Sequence, residues 1–394
     1  MLSARRVFIT GSGVLSGRAA SVADLWSQVH RGERIEGSVA ADEEIASSIG
    51  LAPGDLSILG RHQLLALGVA EQAWRSAGLG SERNRLRGEG SRERRPAFGC
   101  VGGSSLGGIV AMERDLASSR GGRFSPYAVS RWRGNSVPAV VSLRHGLGGT
   151  VLSLNAASAT GAQILWMAGS LIRSGIVDAA VCVASDSALS DSVAKAMARN
   201  GSVARKPDSS PLSGNRSGMT PAEGSAALIL ESEAHAVTRG GALLAEWLGG
   251  ASANESYHLQ APDPSGATLE RLIRDVIKEA PDASADWVSL HATGTSRYDA
   301  IEVPVLIRIF GDRLPWISAF KRITGHALSA SGLMEAALLV EGFRTKRFSP
   351  PLSGVDEALC MPIPLGVVAP GPRTALQIGQ GMGGDVIVNL LGAI

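Results

Sequence analysis

Short runs of apolar and β-branched residues alternate along the chain with longer amphipathic stretches. The apolar runs are typical of buried β-strands, and they lie near Val7, Val181, Leu228, Val288 and Leu376. The stretches between them have the apolar spacing of amphipathic helices. This alternation predicts an α/β protein whose sheet is largely buried by layers of helices.

Two segments of small residues each stand directly before a predicted helix. Residues 156–161, AASATG, join the strand VLSLNA to the helix QILWMAGSLIRSG, and residues 326–332, HALSASG, precede the helix LMEAALLVEGF. Small residues permit a tight turn that delivers polar atoms to the free N–H groups of a helix N-terminus. The pattern favours an internal duplication, with residues 1–245 as the first half and residues 246–394 as the second.

Composition excludes several classes of protein. The chain has 394 residues, of which 44% are hydrophobic and 19% charged, too apolar for a disordered protein and too poor in cysteine for a disulfide scaffold. The formal net charge of +2 provides no overall field for binding a nucleic-acid backbone. We therefore expect a globular protein with a large core and no nucleic-acid partner.

The spacing of the cysteines and the hydropathy of the chain indicate the cellular compartment of the protein. Cys100, Cys182 and Cys360 are too far apart for a CxxC metal or redox pair, and we predict that all three are buried thiols. The N-terminal segment lacks the apolar run of a signal peptide, and no run of 18 apolar residues could span a membrane. These features predict a cytoplasmic protein with no metal site.

Two polar segments interrupt the alternation. Residues 81–96 are rich in arginine, which predicts a solvated loop or, alternatively, a local basic surface for an acidic partner. Residues 200–219 are rich in serine, glycine and proline. A long connection of this kind often covers an active site.

Five polar residues near these turns are candidates for chemistry. Ser158, beside free N–H groups, is either a nucleophile or an ordinary N-cap serine. His291 and His326 follow predicted strands, and Lys321 precedes the second histidine by five residues. A hydrogen-bonded core role is the alternative for each histidine, but the pair together with a lysine favours acid–base chemistry. Glu335, in the following helix, is a candidate partner for Lys321.

These motifs resemble those of the β-ketoacyl synthase family, the condensing enzymes of fatty acid and polyketide synthesis. The resemblance implies an α/β thiolase-like fold of two similar halves in five layers, αβαβα, with the site at their junction. It also implies a dimer. Eight segments are similar to family motifs in family order: RRVFITGSGVLSG, LGRHQLLALGVAEQAWRSAGL, GGTVLSLNAASATG, PLSGNRSGMTPAEGSAALILE, SYHLQAPDP, HATGTSRYDAIE, KRITGHALSASGLMEA and GQGMGGD.

The resemblance also implies roles for single residues. His291 and His326 fall on the catalytic histidine pair of the family, Lys321 on its conserved lysine, and Glu335 on the acid that pairs with that lysine. Ser158 occupies the position of the catalytic cysteine. None of the three cysteines lies in a motif that could substitute for it.

Further matches concern substrate binding. Thr293 and Thr295 fall where the family contacts the pantetheine arm. Met382 falls on a bulky apolar gate that is usually phenylalanine, and Gly383 follows it in the glycine-rich turn. Smaller departures from the family pattern are Ala292 for a glycine, Gln260 for a small hydroxyl residue, and Asp385 in the final turn.

The serine leaves three functions open. A serine hydroxyl, unlike a thiol with a pKa of about 8.5, needs a positioned base during attack. The chain is therefore an acyltransferase or slow condensing enzyme that uses a serine ester, a malonyl decarboxylase, or a non-elongating subunit similar to the chain length factors. The partners implied are acyl carrier protein, which supplies the phosphopantetheine arm, and a second subunit, either the same chain or a cysteine-containing ketosynthase. No other cofactor is implied.

Overall fold

The computed structural model describes residues 5–35, 39–80, 86, 94–119, 121–280, 285–311, 313–361 and 371–394. The strands are β1 Val7–Ser16, β2 Phe98–Gly103, β3 Val151–Leu154, β4 Ala179–Asp186, β5 Gly224–Ser232, β6 Ala245–Asn254, β7 Trp287–Ser289, β8 Trp316–Ser318, β9 Thr374–Gln380 and β10 Asp385–Gly392. The helices are α1 Val22–Arg31, α2 Asp42–Ser48, α3 Pro53–Leu56, α4 Arg61–Ser76, α5 Ile109–Ser118, α6 Ala128–Trp132, α7 Ser136–His145, α8 Thr160–Arg173, α9 Asp191–Arg199, α10 Glu233–Thr238, α11 Ala267–Glu279, α12 Ser296–Phe310, α13 Lys321–Thr324 and α14 Ala330–Thr345. In the described part of the chain, no helix has the length and apolarity required to cross a bilayer.

The order of the strands repeats about the centre of the sheet. The sheet runs β3-β2-β4-β5-β1-β6-β10-β9-β7-β8, and β1 meets β6 at the centre through residues 7–9 and 245–247. Outward from the centre, β1-β5-β4-β2-β3 and β6-β10-β9-β7-β8 share one sequence of antiparallel and parallel pairings. This repeat agrees with the predicted duplicated fold. The predicted division after residue 245 falls at the start of β6.

Helices cover both faces of each half of the sheet. On the outside, α4 and α7 pack against the strands of the first half, and α11 packs against β6 and β10 of the second. Between the halves lie α8 and α14, which contact each other and strands of both halves. The central helix α14 is buried from Ala330 through Phe343. These elements form the five layers of a thiolase-like fold.

The outer helix α11 has one apolar face. In α11, the residues at positions i, i+3, i+4 and i+7, beginning with Leu269, are buried, and charged residues fill the opposite face. This is the pattern expected of a helix that lies on a sheet with its other face in solvent. In α14 every residue from Ala330 through Phe343 is buried, because the helix packs between the two halves of the sheet.

The two central helices begin in the same way. Ala157 and Leu328 have φ angles of 49° and 48°, in the left-handed region that residues with a Cβ rarely adopt. Each is followed four residues later by a glycine, and a Cβ on Gly161 would lie 2.5 Å from the carbonyl oxygen of Ser329. The glycines therefore permit a close crossing of α8 and α14, and Ser158 and Ser329 hold equivalent positions in the two halves.

Six of the ten strands in the described residues were predicted from the sequence. The strands predicted near Val7, Val181, Leu228, Val288 and Leu376 are β1, β4, β5, β7 and β9, and the predicted VLSLNA strand is β3. The strands β2, β6, β8 and β10 were not predicted. Three of the six residues of β2 are glycine, and β8 has only three residues, so neither carries a usable pattern.

Candidate active site

A cavity of about 420 Å³ lies between the two halves of the molecule. Most of the residues predicted from the sequence to form the site line this cavity. The lining residues are Ser158, Asn200, Gly201, Ser202, Arg205, Ser217, Gly218, Met219, Gln260, His291, Thr293, Thr295, Ser296, Arg297, Tyr298, His326, Gln380 and Met382. Residues 200–219 supply seven of them, which confirms that this connection covers a cavity.

Ser158 lies in the turn between β3 and α8, two residues before the helix begins at Thr160. The Thr160 hydroxyl accepts a hydrogen bond from the backbone N–H of Ala156 at 2.9 Å and donates one to the carbonyl of Ala157 at 2.6 Å. These bonds hold the strained φ of Ala157. Within the described residues, the half-buried Ser158 hydroxyl has no hydrogen-bond partner. Its oxygen is therefore available to a ligand in the cavity.

The ring of His326 is held in one orientation. Its Nδ1 accepts a hydrogen bond from the backbone N–H of Leu328 at 3.1 Å, so the neutral ring carries its proton on Nε2. Burial, reinforced by the positive charge of Lys321, lowers the pKa of His326 well below 6.5, and the ring is neutral at pH 7. Nε2 is buried and has no partner among the described residues. His326 thus presents an unused N–H donor.

His291 lies two residues beyond the end of β7 and beside His326. The ring centroids are 5.9 Å apart, and the ring planes are nearly perpendicular. Burial, followed by the positive charge of Lys321, lowers the pKa of His291 well below 6.5. Two neutral imidazoles therefore line the cavity at pH 7.

Lys321 and Glu335 form an ion pair behind the histidines. Both side chains are 2% exposed, and neither lines the cavity. Burial raises the pKa of Glu335, and the charge of Lys321 opposes this effect. Lys321 Nζ also donates to the carbonyl oxygen of His291 at 2.7 Å. The pair thus acts on the position and electrostatics of His291 and not directly on a ligand in the cavity.

Two carboxylates of α12 hold the loop that carries His291. Glu302 accepts hydrogen bonds from the backbone N–H groups of His291 and of the following residue, at 2.6 and 2.7 Å. Asp299 accepts from Gly294 at 3.0 Å and from Leu212, in the covering connection, at 2.6 Å. Burial raises the pKa of Asp299 to about 6 and that of Glu302 to about 8. Neither carboxylate was predicted from the sequence as a site residue, although both stand, three residues apart, at the end of the segment HATGTSRYDAIE.

A third buried carboxylate, also missed, joins the two turns of the site. Asp186, at the end of β4, accepts a hydrogen bond from the Ser104 hydroxyl at 2.6 Å and from the backbone N–H groups of Ser105 and Ser329 at 3.1 and 2.9 Å. The Ser105 hydroxyl donates to the carbonyl of Ala157 at 2.8 Å. Asp186 therefore links the turn before Ser158 to the start of α14.

Of the four residues predicted to bind substrate, three line the cavity and one does not. The hydroxyl oxygens of Thr293 and Thr295 are 2.9 Å apart, and both residues line the cavity together with Met382. Gly383 is not among the lining residues. It has a φ of 101°, and its carbonyl accepts a hydrogen bond from Asn254 at 2.8 Å, so it forms the turn that positions Met382.

The cysteine prediction is wrong for one residue. Cys100 and Cys182 are fully buried in strands, and burial raises the pKa of Cys100 to about 12. Cys360 is exposed, because it follows a short 3₁₀-helix in a surface segment. None of the three lines the cavity. The arginine-rich segment, predicted to be a solvated loop or a basic surface, falls mostly on residues 81–85 and 87–93, outside the described residues.

Comparison with known families matches most of the chain. The N-terminal domain of the beta-ketoacyl synthase family matches residues 47–236, and the C-terminal domain matches residues 244–354. A 3-oxoacyl-[acyl-carrier-protein] synthase 2 of Coxiella burnetii is 26% identical over 89% of this chain and 88% of its own. Nodulation protein E of a Rhizobium species is 29% identical over 84% of both chains. A 3-oxoacyl-[acyl-carrier-protein] synthase 2 of Mycobacterium bovis is 30% identical over 68% of this chain and 67% of its own.

Solved structures share the fold over the whole chain. The ishigamide ketosynthase/chain length factor has a TM-score of 0.83 at 24% identity and covers 100% of both chains. A type II PKS acyl-carrier protein in complex with its ketosynthase bound to the hexaketide gives the same values. At this level of identity the likeness establishes the fold.

Proposed function

Because the chain belongs to the β-ketoacyl synthase family, we propose that it acts on acyl groups carried as thioesters by acyl carrier protein in fatty acid or polyketide synthesis. In this proposal the chain is an acyltransferase in which Ser158 receives the acyl group as an ester. The proposal is carried by one observation: Ser158 shares a cavity with two neutral histidines, one of which has an unused N–H donor.

In this proposal the two histidines have different tasks, which the hydrogen bond to Nδ1 of His326 supports. A serine must lose its proton to a base as it attacks, and His326 cannot accept that proton at Nε2 because this atom already carries one. His291 is therefore the base, and His326 donates to the developing oxyanion. The Ser158 oxygen bonds to the thioester carbonyl carbon, the C–S bond breaks, and the pantetheine thiolate takes the proton from His291. The low pKa of His291 makes it a weak base, so we expect slow acylation.

Malonyl decarboxylation is the second candidate, and the unpartnered Nε2 of His326 favours it. In this reaction the C–C bond to the carboxylate breaks, carbon dioxide leaves, and the electron pair forms an enolate on the thioester. A neutral imidazole N–H is a suitable donor to the enolate oxygen, and the step requires no proton removal from Ser158. Protonation of the enolate gives an acetyl thioester, whereas its attack on an acyl ester of Ser158 would give elongation.

A non-elongating subunit is the third candidate, and an exposed apolar surface supports it. The edge strand β3 pairs only with β2 among the described residues. Two of its four residues, Val151 and Ser153, are exposed. Neighbouring helices add exposed apolar side chains. We call this surface the β3 face, formed by Ile109, Met112, Leu116, Phe124, Val129, Leu143 and Val151. Exposed apolar surface beside an open strand edge is typical of a subunit interface, either with a second copy or with a cysteine-containing ketosynthase.

The mouth of the cavity is suited to a carrier protein with an anionic arm. Arg205 and Arg297 line the cavity, are exposed, and form no ion pair with any described residue. We propose that these guanidinium groups bind the phosphate of the phosphopantetheine arm. Within the arginine-rich segment, Arg95 packs over the ring of Trp74 and donates to the carbonyl of His145, so its guanidinium group contacts the protein itself.

The test of the proposed function is the mass of the intact protein after incubation with a panel of acyl carrier protein thioesters. We expect an acyl adduct that maps to Ser158 and is absent from Ser158→Ala. Ser158→Cys should form the adduct at least tenfold faster, because a thiol is more readily ionised than a hydroxyl.

The other candidates give different results in the same experiment. Release of carbon dioxide from malonyl carrier protein by both wild type and Ser158→Ala, with no adduct, would favour the decarboxylase. If neither activity is found and Ser158→Cys is also inert, the acyltransferase proposal is wrong. Co-purification with a cysteine-containing ketosynthase would then support the non-elongating subunit.

A further inference from the structure

A second polar side chain in the cavity is buried without a partner. Gln380 is the last residue of β9, is 1% exposed, and lines the same cavity as Ser158, His291 and His326. Neither Nε2 nor Oε1 of its carboxamide has a hydrogen-bond partner among the described residues. Both a donor and an acceptor are therefore unsatisfied at the inner wall of the cavity.

The unpaired carboxamide of Gln380 destabilises the folded protein unless a ligand supplies its hydrogen-bond partners. Burial of an unpaired amide sacrifices its hydrogen bonds with water, and native proteins rarely leave such groups unpaired. Gln377, three residues earlier on β9 and also buried, shows the usual solution. Its Oε1 accepts from Asn389 at 2.9 Å, and its Nε2 donates to the carbonyl of Gly332 at 3.4 Å. One strand therefore carries one satisfied and one unsatisfied glutamine, and only the unsatisfied one faces the cavity.

The rest of the lining is also polar. Met219 and Met382 are the only aliphatic side chains larger than a methyl group among the lining residues of the described chain, and Tyr298 adds one ring. The remaining side chains are mainly hydroxyl, amide, imidazole or guanidinium groups. An unsubstituted alkyl chain in this cavity would displace water from such groups without replacing its hydrogen bonds.

We propose that Gln380 determines specificity by hydrogen-bonding an oxygen substituent, such as a hydroxyl group, on the acyl part of the substrate. The inference rests on the proposed function and names its substrate class as oxygen-substituted acyl thioesters. A hydroxyl group both donates and accepts, which matches the two free atoms of the carboxamide. The amides of the pantetheine arm have the same hydrogen-bonding chemistry. We assign Gln380 to the acyl part because it is buried, whereas Gln260 in the same cavity is exposed.

Calorimetric binding of unreactive ligands tests this assignment. The ligands are pantetheine derivatives joined through an amide, in place of the thioester, to a hexanoyl or a 3-hydroxyhexanoyl chain. We expect wild type to bind the hydroxylated ligand at least tenfold more tightly. Gln380→Met, which is similar in length and lacks both polar atoms, should lose this preference. Gln260→Met makes the same chemical change in an exposed residue of the cavity and should keep the preference, whatever its effect on overall affinity.

Several results would overturn the inference. Equal affinity of wild type for both chains would do so without any variant. A uniform loss of affinity for both ligands in Gln380→Met would assign the glutamine to the pantetheine arm. Because the ligands cannot acylate Ser158, an adduct in the mass experiment with no preference here would refute only this inference. Failure of wild type to bind either ligand would refute both proposals.

Thermal unfolding of the unliganded protein provides a second readout. If Gln380 is unpaired, Gln380→Met and Gln380→Leu should unfold at a higher temperature than wild type, because an apolar side chain has no hydrogen bonds to lose. A glutamine with a structural hydrogen bond would give the opposite shift. A lower unfolding temperature in both variants would therefore contradict the inference.

Discussion

Two groups contact Nδ1 of His326, the backbone N–H of Leu328 and the Ser331 hydroxyl, which lies 3.2 Å away. The bond from Leu328 to Nδ1 places the ring proton on Nε2, and the positive φ of Leu328 belongs to the turn that makes this bond possible. Burial alone would keep the ring neutral but would not decide which nitrogen carries the proton, and the Ser331 hydroxyl can donate to Nδ1 in the same way as the backbone N–H. A backbone N–H and a hydroxyl group thus set the role of the ring.

Replacement of His326 should separate the loss of the donor from the loss of volume. We expect His326→Ala to reduce malonyl decarboxylation by roughly 10²- to 10³-fold, the usual effect of removing one oxyanion donor. His326→Gln should retain more activity, since its amide N–H can occupy a position close to Nε2. The rate of carbon dioxide release measures both. Unchanged release in His326→Ala would remove this residue from the chemistry.

The raised pKa of Glu302 predicts a specific pH dependence of stability. Its pKa of about 8 in the folded state exceeds the unfolded value of 4.5, so the folded state binds more protons between these values. The contribution of Glu302 is complete below about pH 4.5 and is lost as the pH rises toward 8. Relative to Glu302→Gln, wild type should therefore lose about 3 to 5 kcal/mol of unfolding free energy between pH 5 and 8.

Urea unfolding at several pH values measures this difference. The exposed Glu43→Gln serves as the control, and its difference from wild type should not vary over the same range. A constant difference for Glu302→Gln would mean that Glu302 remains ionised in the folded protein. The histidines act in the other direction, since their lowered pKa values reduce stability below about pH 6.5.

The sequence predicted the polar side chains that line the cavity better than the residues that hold them in place. Ser158, His291 and His326 stand in recognisable motifs, and all three line one cavity. Asp186 and Gln380 were not predicted. The partners of Asp186 are backbone N–H groups and serine hydroxyls from distant segments, and the significance of Gln380 lies in the absence of partners among the described residues. Neither property has a signature in the linear sequence.

At the scale of elements, the end of β9 fixes the Ser158 turn by close backbone contact. A Cβ on Gly381 would lie 2.2 Å from the carbonyl oxygen of Ala156, and one on Gly379 would lie 2.6 Å from the Cβ of Ala162. Contacts this short are incompatible with any side chain. The end of β9 can therefore approach the start of α8 because Gly379, in the strand, and Gly381, directly after it, have no side chain.

Gly381→Ala should disturb the site through this contact. The φ of Gly381 is not in the left-handed region, so the effect isolates the clash with Ala156. We expect a loss of about 1 to 3 kcal/mol in unfolding free energy, typical of overpacking, and at least tenfold slower adduct formation on Ser158. Gly80→Ala is the control, since a Cβ there meets no atom of the described residues within 4 Å. Equal behaviour of the two variants in denaturation and mass experiments would contradict this account.

Element prediction succeeded where side chains carried a pattern. The helices α8 and α14 begin three residues before the predicted apolar stretches, because the small residues of each turn already form the first helical turn. By contrast, β2 is fully buried and half glycine, and Val101 is its one β-branched residue, so it shows no alternation. A strand that is rich in glycine carries too few side chains for a pattern to be recognised in the sequence.

At the scale of the whole molecule, the β3 face predicts association. Its exposed side chains lie on β3, on α5, α6 and α7 and, for Phe124, between α5 and α6, beside a strand edge that pairs with no other described strand. Pairing of two β3 strands would satisfy the free N–H and C=O groups of both edges and bury the apolar side chains. We therefore expect a dimer, either of two copies or with a related ketosynthase.

Native mass spectrometry of the purified chain tests the first arrangement. Wild type should be dimeric at micromolar concentration, and Leu116→Asp together with Val151→Asp should be monomeric, because burial of a carboxylate in an apolar interface is unfavourable. Val237→Asp places the same charge on an exposed valine of α10, away from this face, and should remain dimeric. A monomeric wild type that dimerises only with a cysteine-containing ketosynthase would favour the second arrangement.

The buried helix α14 is synthesised long after the strands of the first half that it covers. This helix packs against β4 and β5 of the first half, yet it begins about 170 residues after α8. At about 5 to 20 residues per second, the ribosome delivers it roughly 10 to 30 seconds later. During this interval the inner face of the first half is open to water and to other nascent chains. We expect newly made chains to depend on chaperones that shield apolar surface until α14 arrives.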